Sequence, residues 1–122
     1  FYGEILGLEY AGRLATSRQS CFTHGGHNIL LCEREDPIVR TIQQDGRLHH
    51  AFDVSPEMFD RACKLFRDLG IKIHEPVDYR SGGFFTGRQL FVLDPSGNRI
   101  ELRDSSWKAG MPTPTYEEIC NS

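Results

Sequence analysis

Residues 93–102 read Leu93-Asp94-Pro95-Ser96-Gly97-Asn98-Arg99-Ile100-Glu101-Leu102, and their reading decides the fold. Asp94-Pro95-Ser96-Gly97 is a tight turn, with proline at its second position and glycine at its fourth. The runs on either side, 88–93 and 98–104, are then strands. Glu101 interrupts the apolar pair Ile100 and Leu102 just after that turn. A carboxylate in mid-strand is costly unless it faces solvent, pairs, or binds a metal.

Working back from this hairpin, 78–87 is a polar, glycine-containing loop and 71–77 a strand interrupted by Pro76. Before it lies a helix, capped by Ser55 with Pro56 at its first position and Glu57 in its first turn. Phe59, Ala62, Cys63, Phe66 and Leu69 form one apolar stripe, which Gly70 closes. A strand at 47–54 precedes it. The order is strand, helix, strand, strand, strand.

The N-terminal residues repeat that order with a piece missing. Leu6-Gly7-Leu8 matches Leu69-Gly70-Ile71, and Gly26-His27-Asn28-Ile29-Leu30-Leu31 matches residues 97–102. The second copy is about eight residues longer, an insertion expected in the loop before Arg88. Phe1, Ile5 and Leu8 follow helical spacing, so 1–8 reads as the end of an amphipathic helix closed by Gly7. Strands at 8–15, 20–23 and 28–34 follow, the last two joined through His24-Gly25-Gly26-His27. The polar stretch 36–46 is a connecting loop or short helix, and 111–122 an irregular tail. An opening strand for the first copy is expected among residues before Phe1.

Composition narrows the classes. The 122 residues fit one domain. With 14 Lys and Arg against 17 Asp and Glu, the net charge is −3. That balance gives no footprint for nucleic acid or an anionic membrane. No apolar run approaches the ~20 residues of a membrane span, and no signal-peptide pattern is present. Cys21, Cys32, Cys63 and Cys120 are widely spaced without a C-x-x-C pair, so reduced thiols in a cytoplasmic protein are expected, with disulfides as the alternative.

His49 and His50 are adjacent on a strand, so they point to opposite faces. The set Leu48, His50, Phe52 and Val54 is expected to pack beneath the helix. That turns His49 to the other face beside small Ala51, where there is room for a ligand, although spacing alone favours a structural role. His49 with Glu101 would suit zinc, manganese, iron or nickel, yet two ligands are too few to hold such an ion securely. His24 and His27 flank a glycine turn with no third ligand nearby, and His74 reads as a surface residue. There is no nucleophile elbow, Cys63 falls on the buried stripe, and no glycine-rich phosphate loop occurs.

Three segments together resemble the vicinal oxygen chelate superfamily: Phe1-Tyr2 through Leu8, His49-His50-Ala51-Phe52-Asp53-Val54, and 93–102. That superfamily contains glyoxalase I, bleomycin-resistance proteins, fosfomycin-resistance proteins and extradiol dioxygenases. The resemblance implies an α+β fold in which two βαβββ modules form an open, curled, mixed sheet around a metal site. Residues 1–122 would then be a single domain, with a truncated module one at 1–35, module two at 47–104 and a tail at 105–122.

The resemblance further implies His49 and Glu101 as metal ligands, with a third, histidine or glutamine, expected before Phe1. Leu30 stands where some members carry a glutamate in module one. Ring-cleaving and fosfomycin-resistance relatives usually place a tyrosine ten residues before the ligand glutamate, and here Phe91 stands there. Phe91, with Gln89 on the same face, is expected to line an apolar substrate pocket; no further catalytic residue is assigned. The implied function is a divalent-metal-dependent lyase or dioxygenase whose small substrate chelates the metal through adjacent oxygens. The alternatives are a metal-free small-molecule binding protein of the bleomycin-resistance type and a structural or regulatory duplicate. A homodimer is expected.

Overall fold

The computed structural model describes residues 1–15, 18–36 and 49–122, apart from the side chain of Glu75. The expected connecting segment 36–46 falls almost wholly outside the described residues, as does Leu48. The chain divides into two compact units, Phe1–Arg40 and Thr41–Ser122.

The first unit opens on a single hydrogen-bonded turn where a longer helix end was expected. The Ile5 and Leu6 N–H groups both donate to the Phe1 carbonyl at 3.0 Å. Gly7 then reverses the chain at φ 74°, as Gly70 does at φ 68° in the second unit. Three antiparallel strands follow in the order β1-β2-β3: β1 Glu9–Leu14, β2 Gln19–His24 and β3 His27–Cys32. Buried Tyr2 and half-exposed Tyr10 both lie against the Phe22 ring, at 6.2 and 5.3 Å.

The second unit contains β4 His49–Asp53, α1 Pro56–Asp68, β5 Ile73–Arg80, β6 Gly87–Leu93, β7 Arg99–Asp104 and α2 Tyr116–Asn121. Its sheet runs β4-β7-β6-β5, with β4 parallel to β7 and the other pairs antiparallel. This is the strand, helix, strand, strand, strand order read from the sequence. The extra length of the second copy is spread rather than confined to the loop before Arg88. β5 has 8 residues to β1's 6, and a longer turn joins β6 to β7 than joins β2 to β3.

Helix α1 begins as its sequence dictates, with the Ser55 hydroxyl accepting from the Met58 N–H at 3.2 Å. Phe59, Cys63 and Phe66 are fully buried, together with Leu90, Val92 and Ile100 of the sheet. Arg88 bolts helix to sheet. Its guanidinium lies 4.3 Å over Phe59, 2.9 Å from Asp60 and 2.8 Å from Asp104, and donates to the Pro56 carbonyl at 3.1 Å. Just before it, a Cβ on Gly87 would lie 2.4 Å from the Asp104 carbonyl oxygen, so only glycine allows this approach.

Three expectations need correction. His50 does not pack beneath α1: it is exposed, while Phe52 is buried. Among the described residues β4 is an edge strand, and the cover reaches Phe52 but not the start of the strand. Leu69, the last member of the stripe, is 54% exposed because it is the residue at which α1 ends. The tail is not irregular throughout. Thr115 and Glu118 form a reciprocal capping box that starts α2. From α2, Ile119 and Cys120 are buried, and the Tyr116 hydroxyl donates to the Cys63 carbonyl at 3.0 Å.

All four cysteines are free thiols. Burial, with Cys120 and Asp60 nearby, pushes the Cys63 thiol up to about 12, which keeps it protonated and unreactive. No helix among the described residues is long and apolar enough to cross a membrane.

Burial pushes the Asp104 carboxyl up, but the Ser106 hydroxyl, the Arg88 guanidinium and the Ser106 N–H together hold it below the ordinary Asp value. A depressed carboxyl stabilises the fold above the ordinary value of ~3.9 and loses that contribution as pH falls through its folded value. Urea unfolding should therefore show stability declining below about pH 4. Asp104→Asn should lower stability at neutral pH and flatten that decline; an unchanged acid limb would show that Asp104 does not contribute to it.

Candidate functional site

The residues that matter share the sheet face turned away from α1, and strand alternation selects them. On β7 these are Arg99, Glu101 and Arg103. In the parallel pairing their partners are His49, Ala51 and Asp53; on β6 they are Leu93, Phe91 and Gln89.

Asp94 explains why the turn before β7 is so constrained. Its Oδ1 accepts from the Ser96 and Asn98 N–H groups at 2.9 and 2.7 Å, and its Oδ2 from Asn98 Nδ2 at 2.8 Å. The conspicuous acid of residues 93–102 therefore builds the turn and sets where β7 starts. Glu101 is the acid left for chemistry.

His49 and Glu101 do converge: Nε2 lies 2.9 Å from Oε2. The histidine side chain is 34% exposed and the glutamate 10%, so the pair sits at a surface with its carboxylate sunk into the sheet. Ala51, directly opposite Glu101, is too small to separate them. Phe91, buried and also opposite Glu101, meets the His49 ring edge-on at a centroid distance of 5.5 Å. Gln89 is buried and donates from Nε2 to Asp78 Oδ2 at 3.3 Å.

The family model of the Glyoxalase/Bleomycin resistance protein/Dioxygenase superfamily matches residues 1–102. The chain belongs to that superfamily. Solved structures agree on the fold. A glyoxalase/dioxygenase from Nostoc punctiforme is 28% identical, with TM-score 0.62 over 85% of this chain and 78% of that one. The E126Q mutant of the fosfomycin resistance protein FosX from Listeria monocytogenes, complexed with Mn(II) and 1S,2S-dihydroxypropylphosphonic acid, is 21% identical, with TM-score 0.64 over 85% and 78%. Lactoylglutathione lyase from Agrobacterium tumefaciens is 22% identical, with TM-score 0.60 over 91% and 84%. No curated protein matches the chain in sequence.

Within this superfamily member the donor chemistry of His49 and Glu101 fits a divalent cation. Two ligands held at ~2.1 Å on one ion lie ~3 Å apart in octahedral and ~3.4 Å apart in tetrahedral geometry, and the separation here, 2.9 Å, is near the octahedral figure. An imidazole nitrogen with a carboxylate oxygen suits zinc, manganese, iron or nickel. Among the described residues no group of three or more His, Cys, Asp or Glu side chains gathers at one point. His24 and His27 face each other across the β2–β3 turn, and His50 and His74 are exposed. None of these joins the pair.

The sequence reading did not single out Arg99, Arg103 and Asp53. Arg103 donates from Nε to Asp53 Oδ1 at 2.8 Å and lies 5.0 Å over the Phe85 ring. Arg99 lies 4.2 Å over Phe91. The signal was available: both arginines stand two residues from Glu101, and period-two alternation puts them on its face.

His49→Ala would leave the Glu101 carboxylate sunk in the sheet without this partner. Unfolding of the metal-free protein should show a loss of about 1–3 kcal/mol, part of which Glu101→Gln should restore in the double variant. An unchanged midpoint in His49→Ala would mean that the contact contributes nothing to the fold.

Proposed function

We propose that this protein is a divalent-metal-dependent enzyme whose small substrate binds the ion through two adjacent oxygens. The observation that carries the reading is the 2.9 Å contact of His49 with Glu101 on a face that Phe91 makes partly apolar. Both would be ligands, with the remaining ligand or ligands supplied from outside the described residues of this unit. A metal held by few protein ligands keeps open positions, and when bound it supplies Lewis-acid stabilisation of charge developing on substrate oxygens. The chain's own part is positional. Glu101 contributes the negative charge, His49 is held in place by the perpendicular Phe91 ring, and Phe91 with Gln89 forms the wall that orients the substrate. The fit extends to iron, manganese, zinc or nickel, and to lyase or dioxygenase chemistry.

The contact also satisfies both side chains directly, and this favours a second reading: a metal-free small-molecule binding protein of the bleomycin-resistance type. Either way we read the protein as a cytoplasmic homodimer; among the described residues each sheet ends in edges that a partner strand or loop would cover.

Metal analysis of the full-length protein after reconstitution separates the two. His49→Ala and Glu101→Ala should each lose most bound metal. If both variants keep a full complement, or the intact protein binds none, the enzyme reading fails and the metal-free one takes its place.

A further inference from the structure

Gln89 carries an amide that the fold only half uses. It stands on β6 two residues before Phe91, on the same face, and is 6% exposed. Its Nε2 donates to Asp78 Oδ2 at 3.3 Å, and Arg80 Nε donates to the same oxygen at 3.0 Å. Among the described residues that is the one hydrogen bond of the Gln89 side chain. A carboxylate accepts and does not donate, so Asp78 fixes which end of the amide it receives. The carbonyl oxygen, Oε1, is left as the free end. Arg103, its neighbour across β7, directs its Nε to Asp53 instead. Oε1 is not one of the buried side-chain atoms that lack a partner, so solvent reaches it.

The strand register relates this acceptor to the His49–Glu101 pair. His49 stands opposite Arg99, Phe91 opposite Glu101, and Gln89 opposite Arg103. His49, Glu101 and Gln89 therefore fall on one diagonal across β4, β7 and β6. Diagonal neighbours on one face lie roughly 7–8 Å apart. The Phe91 ring meets His49 and lies beneath Arg99, both one step nearer the β6–β7 turn, so it leans away from Gln89.

We infer that Gln89 is the specificity-determining residue for a substrate with a third polar group, a hydroxyl or N–H donor, one diagonal step from the two chelating oxygens. The inference rests on the reading of His49 and Glu101 given above. An amide already held by Asp78 needs little reordering when such a donor arrives. A substrate with a methyl group in that place would cover Oε1 without replacing its water, and this asymmetry discriminates between the two. Asp78 touches no substrate here. It is a positioning residue, acting through the amide it orients.

The test compares two catechols of the same shape, 3,4-dihydroxybenzyl alcohol and 4-ethylcatechol, in which a hydroxyl and a methyl group occupy one place. Binding to the full-length protein loaded with Mn(II) is measured without oxygen by calorimetry. The wild type should prefer the alcohol about fivefold. Gln89→Met should erase or reverse that preference. Asp78→Ala, at an exposed position that the core does not need, serves if the first variant does not fold and should lose part of the preference. The inference is overturned if the wild type shows none, or if a folded Gln89→Met, or in its place Asp78→Ala, keeps it in full. Should the protein bind no Mn(II), the metal reading alone fails. The same compounds are then titrated into metal-free protein while the Gln89 side-chain amide resonances are followed. A saturable shift with the alcohol that 4-ethylcatechol does not produce supports the inference; equal shifts, or none, overturn it.

Discussion

The parallel pairing of β4 with β7 is the constraint from which the rest of the second unit follows. A parallel pair needs a long crossover, and α1 with β5 and β6 provides it. The same pairing puts Ala51 against Glu101 and His49 against Arg99. A shift of one residue would turn Glu101 toward α1 and Ile100 toward the opposite face, because side chains alternate. The turn at Asp94 guards against that slip from the other side, since its carboxylate fixes where β7 begins relative to β6. Two independent devices thus specify one register, and the site is that register's by-product.

The two faces of this sheet are held by different physics. Toward α1 the cover is apolar side chains around one guanidinium, Arg88, which two carboxylates and a backbone carbonyl surround. Such a buried charge is tolerated because two carboxylates and a carbonyl oxygen stand around it in place of water. On the other face, polar side chains are paired across the strands, His49 with Glu101 and Asp53 with Arg103. Aromatic rings fill the spaces between them. That second face mixes polar groups with aromatic rings, the composition that the proposed ligand site calls for.

Much of this was legible before any coordinates. Helix α1 announced itself through Ser55, Pro56 and the Phe59, Cys63, Phe66 stripe, all local signals. The hairpin of β6 and β7 followed from Asp94-Pro95-Ser96-Gly97, and the meeting of the His49 and Glu101 side chains from the period of two combined with the superfamily resemblance. What failed depended on neighbours. His50 lies on the same strand face as Phe52, but alternation does not say how far a covering helix extends, and the start of an edge strand lies beyond it. The helix in the tail was missed although Thr115 and Glu118 carry the capping-box spacing, because Pro112 and Pro114 just before it drew attention to irregularity. Alternation puts Arg99 and Arg103 on the face of Glu101, but only packing shows that each lies over an aromatic ring.

The capped helix α2 bears on where this fold stops. The superfamily match ends at Leu102, yet Tyr116 and Cys120 both donate to the Cys63 carbonyl, and Arg67 reaches the Cys120 carbonyl. Those contacts seal the side of α1 that the sheet does not cover. The stretch of chain by which evolution recognises this unit is thus shorter than the stretch that keeps its core dry, and a boundary drawn from ancestry alone would cut through the wall.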